Sequence, residues 1–413
     1  MTFEEATSYL LSLGNEVSAM KLGLENIRTL LDSLGEPHEK YLKVQVAGTN
    51  GKGSVCAFLD SIFREAGVRT GLYTSPHLVS ITERVKIGGV DISEDAFARM
   101  ATLVRETAEK LLVDGTLECC PTFFEQMTAI ALVAFAEAKV ELAILETGLG
   151  GRLDATTAAN AEIAAITRID LDHQEYLGND LKSIASEKAA IIHAGSKVVV
   201  CEQSRVAMKV IRERCKAVGA EARTTAEFLG QGFGLPQLGL LGKHQVENAE
   251  VAILAAYTLR DHFDISDEAV VAGLENARHP GRLEYVGRYL FDGAHNIGGA
   301  KALAGYLAQF ERRPITIVFG AMRDKEIAEI ASILFPLGEK IVLTEPENSR
   351  ALTYGELLEQ IPDDISRFNI FASDGVESAL TISETVTPDN GIILVTGSLY
   401  LVGEVKTLLT DQK

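Results

Sequence analysis

The sequence predicts an α/β protein with mostly parallel sheets, in which a larger first domain is followed by a smaller second one. Strand-like and helix-like segments alternate along nearly the whole chain, which is the pattern of parallel strands joined by helices. The chain has 413 residues, which is too long for one ordinary hydrophobic core. A turn at Pro280 and Gly281 separates two runs of the alternation. We therefore place the domains at residues 1–281 and 282–413.

The first domain begins its sheet with a short strand at residues 43–47, and the glycine-rich loop 48–53 follows it. The next helix carries apolar residues at spacings of three and four, which fill one helix face, and Gly67 ends it. The apolar stretch 127–136 is about half as long as a membrane span and is followed by Glu137, so it predicts a core helix. Further strands are expected at residues 71–74, 140–145, 163–167 and 197–201.

The second domain shows the same alternation after the turn. No short-period repeat or low-complexity tract interrupts the sequence, so solenoid architectures are set aside. The strands expected in this domain are residues 289–291, 315–319, 340–343, 370–372 and 391–395.

The net charge limits the class of partner. The chain carries 39 basic and 58 acidic side chains, which gives a formal charge of −19. A surface this acidic repels a phosphate backbone, so we expect no nucleic-acid partner. An anionic substrate would then need a local site lined by basic groups or by a metal ion.

Cysteine usage and the N-terminus both indicate the cytoplasm. The five cysteines form no Cys-x-x-Cys pair, and their odd number argues against a disulfide framework. The first residues lack the basic and then apolar order of a signal peptide. We expect a cytoplasmic protein that acts on small molecules and does not bind a membrane.

The loop at residues 48–54 reads Gly-Thr-Asn-Gly-Lys-Gly-Ser and lies between a predicted strand and a predicted helix. Glycines let backbone N–H groups turn inward, the helix N-terminus adds positive potential, and Lys52 can reach terminal phosphates. In the usual phosphate-binding pattern Ser or Thr follows the lysine directly, whereas Gly53 intervenes here. A plain connecting turn is the weaker alternative. The residues expected to bind phosphates are Asn50, Gly51, Lys52, Gly53 and Ser54.

Short motifs follow this loop in a fixed order. They are residues 74–78 (TSPHL), 146–154 (ETGLGGRLD), 170–173 (DLDH), 187–188 (EK), 242–245 (GKHQ), 280–284 (PGRLE) and 292–296 (DGAHN). Together with the loop, these motifs resemble the folylpolyglutamate synthase and dihydrofolate synthase family, within the wider group of Mur-type ligases. The resemblance implies a P-loop-type ATPase domain that also binds folate, followed by a smaller Rossmann-like glutamate-ligase domain.

The resemblance also implies roles for individual residues. Catalytic roles fall on Lys52, Lys188 and His173, and magnesium ligands on Ser75, Glu146 and His173. Nucleotide contacts outside the loop are implied at Asn248, Arg282 and Asp292. Folate contacts are implied at Leu22, Gly23, Leu24, Thr122, Phe123, Phe124, Glu125, Leu153, Asp154 and Ala155. The candidates for a glutamate pocket in the second domain are His295 and Ser398.

The position of Glu146 supports a metal role without the resemblance. It ends an apolar strand and precedes a glycine-rich loop, and the carboxyl ends of parallel strands face the ligand crevice. A solvated glutamate at a strand end is the alternative. Ser75 also follows a strand, but Ser-Pro turns are common. Magnesium prefers oxygen ligands, so His173 by itself indicates a packed or capping histidine, and Asp170 or Asp172 could supply oxygen instead.

Lys188 lies within an apolar helical stripe, which is an unusual place for a cation. A lysine there reaches out to water, pairs with an acid or loses its charge. The resemblance implies the third course, a carbamate formed with carbon dioxide, which is an anion able to help hold magnesium. The stripe is expected to consist of Leu181, Ile184, Ala185, Ile191 and Ile192.

These features predict an ATP-dependent amide ligase that adds L-glutamate to dihydropteroate, to reduced folates or to both. ATP would convert the acceptor carboxylate into an acyl phosphate, which the glutamate amine attacks with release of phosphate. The expected cofactor is Mg²⁺, with a monovalent cation as a further candidate and ATP as a substrate. The chain is expected to be a monomer.

Two other functions are weighed against this one. A peptidoglycan-precursor ligase of the same wider group would share the mechanism. Such ligases usually carry a nucleotide-sugar domain before the phosphate loop, and the 47 residues that precede Gly48 are too few for it. A nucleotide-dependent switch that does not ligate is the other alternative, but it would need no second domain with its own glycine-rich loop.

Overall fold

A computed structural model describes residues 1–14, 23–229, 234–363 and 365–411. The chain divides into two compact units. The first consists of residues 1–77, 81–239 and 246–278, and the second of residues 78–80, 240–245 and 279–413. The domain boundary after residue 281, and the functions assigned to the two domains, stay predictions.

The helices alternate with strands along the chain, as the sequence predicts. The first eleven α-helices are α1 (Phe3–Ser12), α2 (Glu25–Ser33), α3 (Lys52–Glu65), α4 (Glu94–Val113), α5 (Phe123–Glu137), α6 (Gln174–Leu177), α7 (Leu181–Ala189), α8 (Arg205–Val218), α9 (Thr225–Leu229), α10 (His244–Thr258) and α11 (Asp267–Asn276). The others are α12 (Ile297–Phe310), α13 (Ile327–Leu334), α14 (Tyr354–Glu359), α15 (Val376–Val386) and α16 (Leu399–Asp411). Short 3₁₀ helices cover Pro37–Lys40, Ile81–Arg84, Ala155–Ala159, Phe335–Leu337 and Arg367–Asn369.

The first unit is built on an eight-stranded sheet. Its strands are β1 (Leu42–Ala47), β2 (Thr70–Tyr73), β3 (Val85–Ile87), β4 (Val90–Asp91), β5 (Leu142–Glu146), β6 (Ile163–Ile166), β7 (Lys197–Val200) and β8 (Ala222–Thr224). Their order is β4-β3-β2-β5-β1-β6-β7-β8. β2, β5, β1, β6, β7 and β8 are parallel, whereas β3 and β4 form an antiparallel extension at one edge. Helices α1, α2, α4 and α5 share one hydrophobic core, and α7 and α8 share another.

The second unit contains a six-stranded sheet. Its strands are β9 (Glu284–Val286), β10 (Tyr289–Phe291), β11 (Ile315–Phe319), β12 (Lys340–Leu343), β13 (Ile370–Ala372) and β14 (Ile392–Thr396), in the order β13-β12-β11-β14-β10-β9. All pairs are parallel except that of β9 with β10. One face packs against α12, α13 and α14, and the other against α15 and α16. A mostly parallel sheet with helices on both faces is the Rossmann-like arrangement that the family resemblance implies.

The predicted strands are confirmed, with small shifts at their ends. The strand expected at 140–145 begins at Leu142, because Lys139 has a φ of 53° and Val140 N donates to Phe135 O to close the end of α5. Glu146 is the last residue of this strand, as predicted. The short strands β3, β4, β8 and β9 were not predicted, since two or three residues carry little periodicity.

The residues of the apolar stripe predicted around Lys188 are buried except Leu181, which is half-buried, and the predicted helical geometry is wrong for two of them. Helix α7 ends at Ala189, so Ile191 and Ile192 lie beyond it rather than on its stripe. The chain must turn back within residues 190–196 because β7 begins at Lys197. Ile191 and Ile192 are nevertheless buried, and so is Lys188, at 4% exposure.

The helix predicted at residues 127–136 is confirmed as part of α5, which packs within the core of the first unit. Among the helices of the described ranges, none is both long and apolar enough to cross a membrane.

Candidate active site

The carboxyl ends of the central parallel strands bring the predicted site segments of the first unit to one edge of the sheet. β1 lies between β5 and β6, with Val46 opposite Glu146 and Ala47 opposite Ile166. β2 pairs with β5 on the far side, with Tyr73 opposite Leu145. The loops that leave these four strands therefore start side by side. In open parallel sheets this edge is where ligands bind.

The loop after β1 has the geometry of an anion-binding turn. Gly51 has a φ of 89°, a left-handed conformation that favours glycine, and α3 begins directly after it at Lys52. The N–H groups of the first helical turn have no acceptor within the helix itself, which is the usual feature of an anion site at a helix N-terminus. A Cβ at Gly51 would lie 2.1 Å from Asn248 Oδ1, so only glycine fits there and Asn248 borders the loop.

A clamp of hydrogen bonds ties this loop to the end of β6, and the sequence analysis missed it. Thr49 Oγ1 donates to Asp170 O (2.9 Å) and accepts from Asp170 N (3.0 Å). The backbone N–H of Thr49 donates to Arg168 O at 2.8 Å. Thr167 Oγ1 donates to Asn50 O at 2.8 Å. The phosphate loop and the loop that continues to His173 are therefore held together.

Two lysines converge on one carbonyl of the phosphate loop. Lys188 Nζ donates to Gly48 O at 2.8 Å, and Lys52 Nζ donates to the same oxygen at 3.3 Å. Burial lowers the pKa of Lys188 to about 7, and the charge of Lys52 lowers it further. The amine of Lys188 is therefore readily neutral, which agrees with the loss of charge that the family resemblance implies.

Ser75 and Glu146, two of the three predicted magnesium ligands, are in contact. Ser75 N donates to Glu146 Oε2 at 3.3 Å, and Glu146 is 6% exposed. Burial raises the pKa of the Cys56 thiol well above its usual range; the nearby carboxylate of Glu146 raises it further and the Lys52 ammonium opposes this. The carboxylate and the ammonium therefore lie within electrostatic reach of the same group.

His173, the third predicted ligand, stands at the start of α6 with a φ of 50°. Its backbone N–H donates to Asp172 Oδ1 at 2.9 Å, and its ring Nε2 lies 3.9 Å from Asp172 Oδ2. A serine hydroxyl and a carboxylate suit magnesium, and an imidazole suits it less well. In the part of the chain that the structure describes, no group of three His, Cys, Asp or Glu side chains is placed to hold a metal. The predicted set contains only two such side chains.

The segments predicted to bind folate lie close together in the first unit. Leu24 precedes α2, Thr122 caps α5 and Asp154 caps the 3₁₀ helix Ala155–Ala159. These three helices pack against one another. Leu22 is outside the described residues.

Several side chains of these segments serve the fold. Thr122 and Glu125 form a capping box, with Thr122 N donating to Glu125 Oε2 at 2.7 Å. Leu24, Phe123 and Ala155 belong to one buried core.

Gly23 has a φ of 142°, and a Cβ there would lie 2.0 Å from Glu25 Oε2. Only glycine fits this entry to α2 without strain. Among the predicted folate residues, the half-buried side chains Thr122, Phe124 and Leu153 are accessible to a ligand.

The loop after β5 is fitted closely around Phe124. A Cβ at Gly148 would lie 2.6 Å from Phe124 Cζ, and the ring centroids of Phe124 and Tyr73 are 5.9 Å apart. Asp154 holds the same loop through hydrogen bonds from Leu149 N and Thr156 N, both 3.0 Å. Burial raises the pKa of Asp154, while these hydrogen bonds oppose the shift.

In the second unit, Asp292 and His295 follow the carboxyl end of β10, and Ser398 follows that of its paired neighbour β14, whereas Arg282 precedes β9. Asp292 accepts from Leu283 N (2.9 Å) and Ala294 N (3.0 Å), and burial raises its pKa against the effect of Arg282. His295 Nδ1 lies 2.8 Å from Gly293 O.

Ser398 is 3% exposed and accepts from Tyr400 N at the start of α16. Gly397 N donates to Ala294 O at 3.1 Å, which joins the loop that carries His295 to the loop that carries Ser398. The two candidates for a glutamate pocket therefore lie in adjoining loops of one unit.

Comparison with known protein families shows the class of protein to which this chain belongs. Residues 46–256 match the Mur ligase middle domain, and residues 281–399 match the Mur ligase glutamate ligase domain. The chain therefore belongs to the class of Mur ligases.

Individual relatives narrow the class further. The dihydrofolate synthase/folylpolyglutamate synthase of Bacillus subtilis is 34% identical over 98% of this chain and 99% of its own length. A probable bifunctional folylpolyglutamate synthase/dihydropteroate synthase of Halobacterium salinarum is 35% identical over 99% of this chain, which spans only 52% of that relative. A crystal structure of the bifunctional folylpolyglutamate synthase/dihydrofolate synthase of Yersinia pestis, complexed with AMPPNP and a manganese ion, is 30% identical, with a TM-score of 0.86 over 99% of this chain and 98% of that one. The chain is a member of the folylpolyglutamate synthase/dihydrofolate synthase family.

Proposed function

We propose that this chain is an ATP-dependent ligase that joins L-glutamate to the carboxylate of dihydropteroate and of reduced folates. The observation that carries the proposal is the shared sheet edge at which the lysine-bearing phosphate loop lies beside Glu146, with the folate segments gathered in the same unit. Ligation needs these elements together, because a carboxylate must be phosphorylated before an amine can displace its oxygen.

The reaction would proceed in two steps. An oxygen of the acceptor carboxylate attacks the terminal phosphorus of ATP, which gives an acyl phosphate and ADP. The glutamate amine then attacks the acyl carbon, phosphate leaves, and the amide bond forms. Lys52 and the N–H groups of the phosphate loop stabilise the charge on the transferring group.

Magnesium is the proposed metal, with Ser75 and Glu146 as oxygen ligands and His173 as the third. The ion would neutralise negative charge between the terminal phosphates. Carbon dioxide would convert the neutral amine of Lys188 into a carbamate that faces the phosphate loop. A monovalent cation as a further cofactor belongs to the same proposal.

The proposed nucleotide contacts are Asn248 of the first unit and Arg282 and Asp292 of the second. His295 and Ser398 are proposed to bind the incoming glutamate, since both lie in loops at the carboxyl ends of parallel strands. We further propose that the chain acts as a monomer in the cytoplasm.

Two acceptors are proposed because of the names of the relatives. The Bacillus subtilis relative is named for both activities. The Halobacterium salinarum relative is named a probable bifunctional folylpolyglutamate synthase/dihydropteroate synthase, which supports dihydropteroate as an acceptor.

The test is a direct assay with ATP, magnesium and labelled glutamate, using dihydropteroate or tetrahydrofolate as separate acceptors. We expect labelled product with both, and release of ADP that depends on the acceptor. Equal release of ADP without any acceptor would favour a nucleotide switch. If labelled product forms with a nucleotide-linked sugar peptide, and with neither dihydropteroate nor tetrahydrofolate, the result would favour a peptidoglycan-precursor ligase.

A further inference from the structure

A buried glutamine, Gln45, lies in β1, the strand that leads into the phosphate loop. It is 1% exposed and is paired with Leu145 of β5. Directly paired residues of neighbouring strands point to the same face of a sheet, and Leu145 belongs to the hydrophobic core that α1, α2, α4 and α5 share. An apolar side chain would suit this face, since a buried amide costs free energy unless its hydrogen bonds are made. Packing alone therefore does not explain a glutamine here.

The side-chain amide of Gln45 donates to two neighbouring threonines. Its Nε2 donates to Thr156 Oγ1 and to Thr157 Oγ1, both at 2.8 Å. The two threonines lie in the 3₁₀ helix Ala155–Ala159, which begins within the predicted folate contacts at residues 153–155. The amide thus joins the strand before the phosphate loop to the segment that is predicted to bind folate.

The threonine hydroxyls extend this connection to the loop after β5. Thr156 Oγ1 donates to Asp154 Oδ1, and Thr157 Oγ1 donates to Gly151 O at 2.7 Å. A hydroxyl carries a single proton, so each threonine can only accept the hydrogen bond from Gln45. The position therefore requires a side chain with two N–H donors, which glutamine has and glutamate lacks.

The loop that is held in this way also contacts the helix that carries Lys188. Arg152 N donates to Glu187 O at 3.0 Å. A Cβ at Gly151 would lie 2.7 Å from the same oxygen of Glu187 and 3.1 Å from Lys188 O, so the loop and the end of α7 are in close contact. A shift of this loop would therefore change the surroundings of the folate contacts and of Lys188 together.

We propose that Gln45 is a positioning residue for the folate acceptor, whose amide fixes the folate contacts at residues 153–155 relative to the phosphate loop. The inference rests on the proposed function, in which the acceptor carboxylate must meet the terminal phosphate of ATP. Gln45 is buried, so it acts through Thr156 and Thr157 rather than by contact with the acceptor. A misplacement of about 1 Å can reduce the rate of such a transfer by about 10²-fold.

The test compares Gln45→Leu and Gln45→Glu with the parent in ligation assays at varied dihydropteroate and at varied magnesium-ATP. Leucine removes both donors, and glutamate keeps the shape but places oxygen opposite the two hydroxyl oxygens. We expect both variants to raise the KM for dihydropteroate by roughly tenfold or more. The KM for magnesium-ATP should stay near that of the parent, because the hydrogen bonds between Thr49 and Asp170 hold the phosphate loop separately.

Lys43→Met is the matched control for a role in stability alone. Lys43 lies near the start of the same strand, is 2% exposed and donates to His38 O at 2.8 Å. Its replacement also removes a buried polar side chain from β1, and urea unfolding measures the loss of stability in each variant. The KM for dihydropteroate should rise in the Gln45 variants and stay unchanged in Lys43→Met. An equal rise in Lys43→Met would overturn the positioning role.

A second variant covers the case in which neither Gln45 variant folds. Thr157 is half-buried, and Thr157→Val removes its hydrogen bonds to Gln45 and Gly151. It should show the same separation of the two KM values, and an unchanged KM for dihydropteroate would overturn the role.

The parent chain separates this inference from the proposed function. If the parent makes no labelled product with either acceptor, the proposed ligation and the positioning role both fall. If the parent ligates and the folded Gln45 variants keep its KM for dihydropteroate, only the positioning role falls.

Discussion

At the scale of single residues, the oxygen of Gly48 is the point where two cations of the first unit meet. Lys188 and Lys52 both donate to it, and their mutual repulsion adds to the burial that lowers the pKa of Lys188. An amine that is neutral near pH 7 reacts with carbon dioxide, whereas an ammonium does not. The same geometry thus favours the neutral amine of Lys188 that the proposed carbamate needs.

The first prediction concerns Lys52. Lys52→Ala should reduce kcat for ligation by about 10²–10³-fold or more, because the charge that develops on the transferring phosphoryl group loses its stabilising cation. Turnover is measured by acceptor-dependent release of ADP, and folding by circular dichroism. Lys209→Ala, which removes an exposed lysine of α8, is the matched control and should act as the parent does. Near-normal turnover of a folded Lys52→Ala chain would remove the phosphate-loop assignment.

The second prediction concerns the pH dependence of stability that Lys188 causes. Its pKa falls from the ordinary 10.5 to about 7 on folding, so between these values the unfolded chain holds the extra proton and stability rises with pH. Below pH 7 the folded chain must bury the charged amine, at a cost on the order of 5 kcal/mol. Lys188→Met should therefore show a flatter rise in the free energy of unfolding between pH 7 and 10.

Urea unfolding in buffer purged of carbon dioxide measures this difference, because no carbamate forms there. Lys209→Met, in which an exposed lysine is lost, should keep the slope of the parent. Parallel curves for Lys188→Met and the parent would mean that the amine keeps its ordinary pKa. Adding bicarbonate to the parent should raise ligation activity if the carbamate is the working form.

At the scale of elements, the parallel order of β2, β5, β1 and β6 decides which loops become neighbours. Each strand delivers its loop to the same edge, and the pairing of Val46 with Glu146 sets the depth of the carboxylate beside the phosphate loop. Thr167 and Asp170, which follow β6, form hydrogen bonds with that loop. This clamp joins segments that are more than 100 residues apart in the sequence. It therefore fixes the phosphate loop relative to the loop that carries His173.

The third prediction tests this clamp with two substitutions of one residue. Thr49→Val keeps the shape of the side chain and removes both hydrogen bonds to Asp170, each of which contributes about 0.5–1.5 kcal/mol. In Thr49→Val we expect the KM for magnesium-ATP to rise by roughly tenfold. Thr49→Ser should keep the KM of the parent, because serine can form both hydrogen bonds. Initial rates at varied ATP and at varied magnesium provide the measurement. If Val and Ser behave alike, the hydroxyl does not position the loop.

At the scale of the whole molecule, each compact unit has hydrophobic cores of its own. In the first, the described residues form cores beneath α1, α2, α4 and α5 and beneath α7 and α8. In the second, they form one core on each face of the sheet. Units with separate cores are expected to unfold as separate transitions, so a ligand of one unit need not stabilise the other equally.

The fourth prediction is that magnesium-ATP raises the unfolding transition of the first unit, since the phosphate loop lies there. At 100 times the Kd, the stabilisation should be about 2.7 kcal/mol. Calorimetry with and without the nucleotide measures the shift. Phe319→Ala empties a fully buried position in β11 and should lower the other transition, which identifies it. A first-unit transition that stays fixed at saturating nucleotide would contradict the proposed site.

The sequence by itself determined the alternation of strands and helices, the phosphate loop and the burial of Lys188, because periodicity and glycine placement are local properties of the chain. Only the tertiary structure decided that Thr49 bonds to Asp170 and that α7 stops before Ile191. Contacts between distant segments depend on strand order and register, which short-range patterns do not encode. Local chemistry thus defined the parts of the site, and long-range packing determined which of them lie in contact.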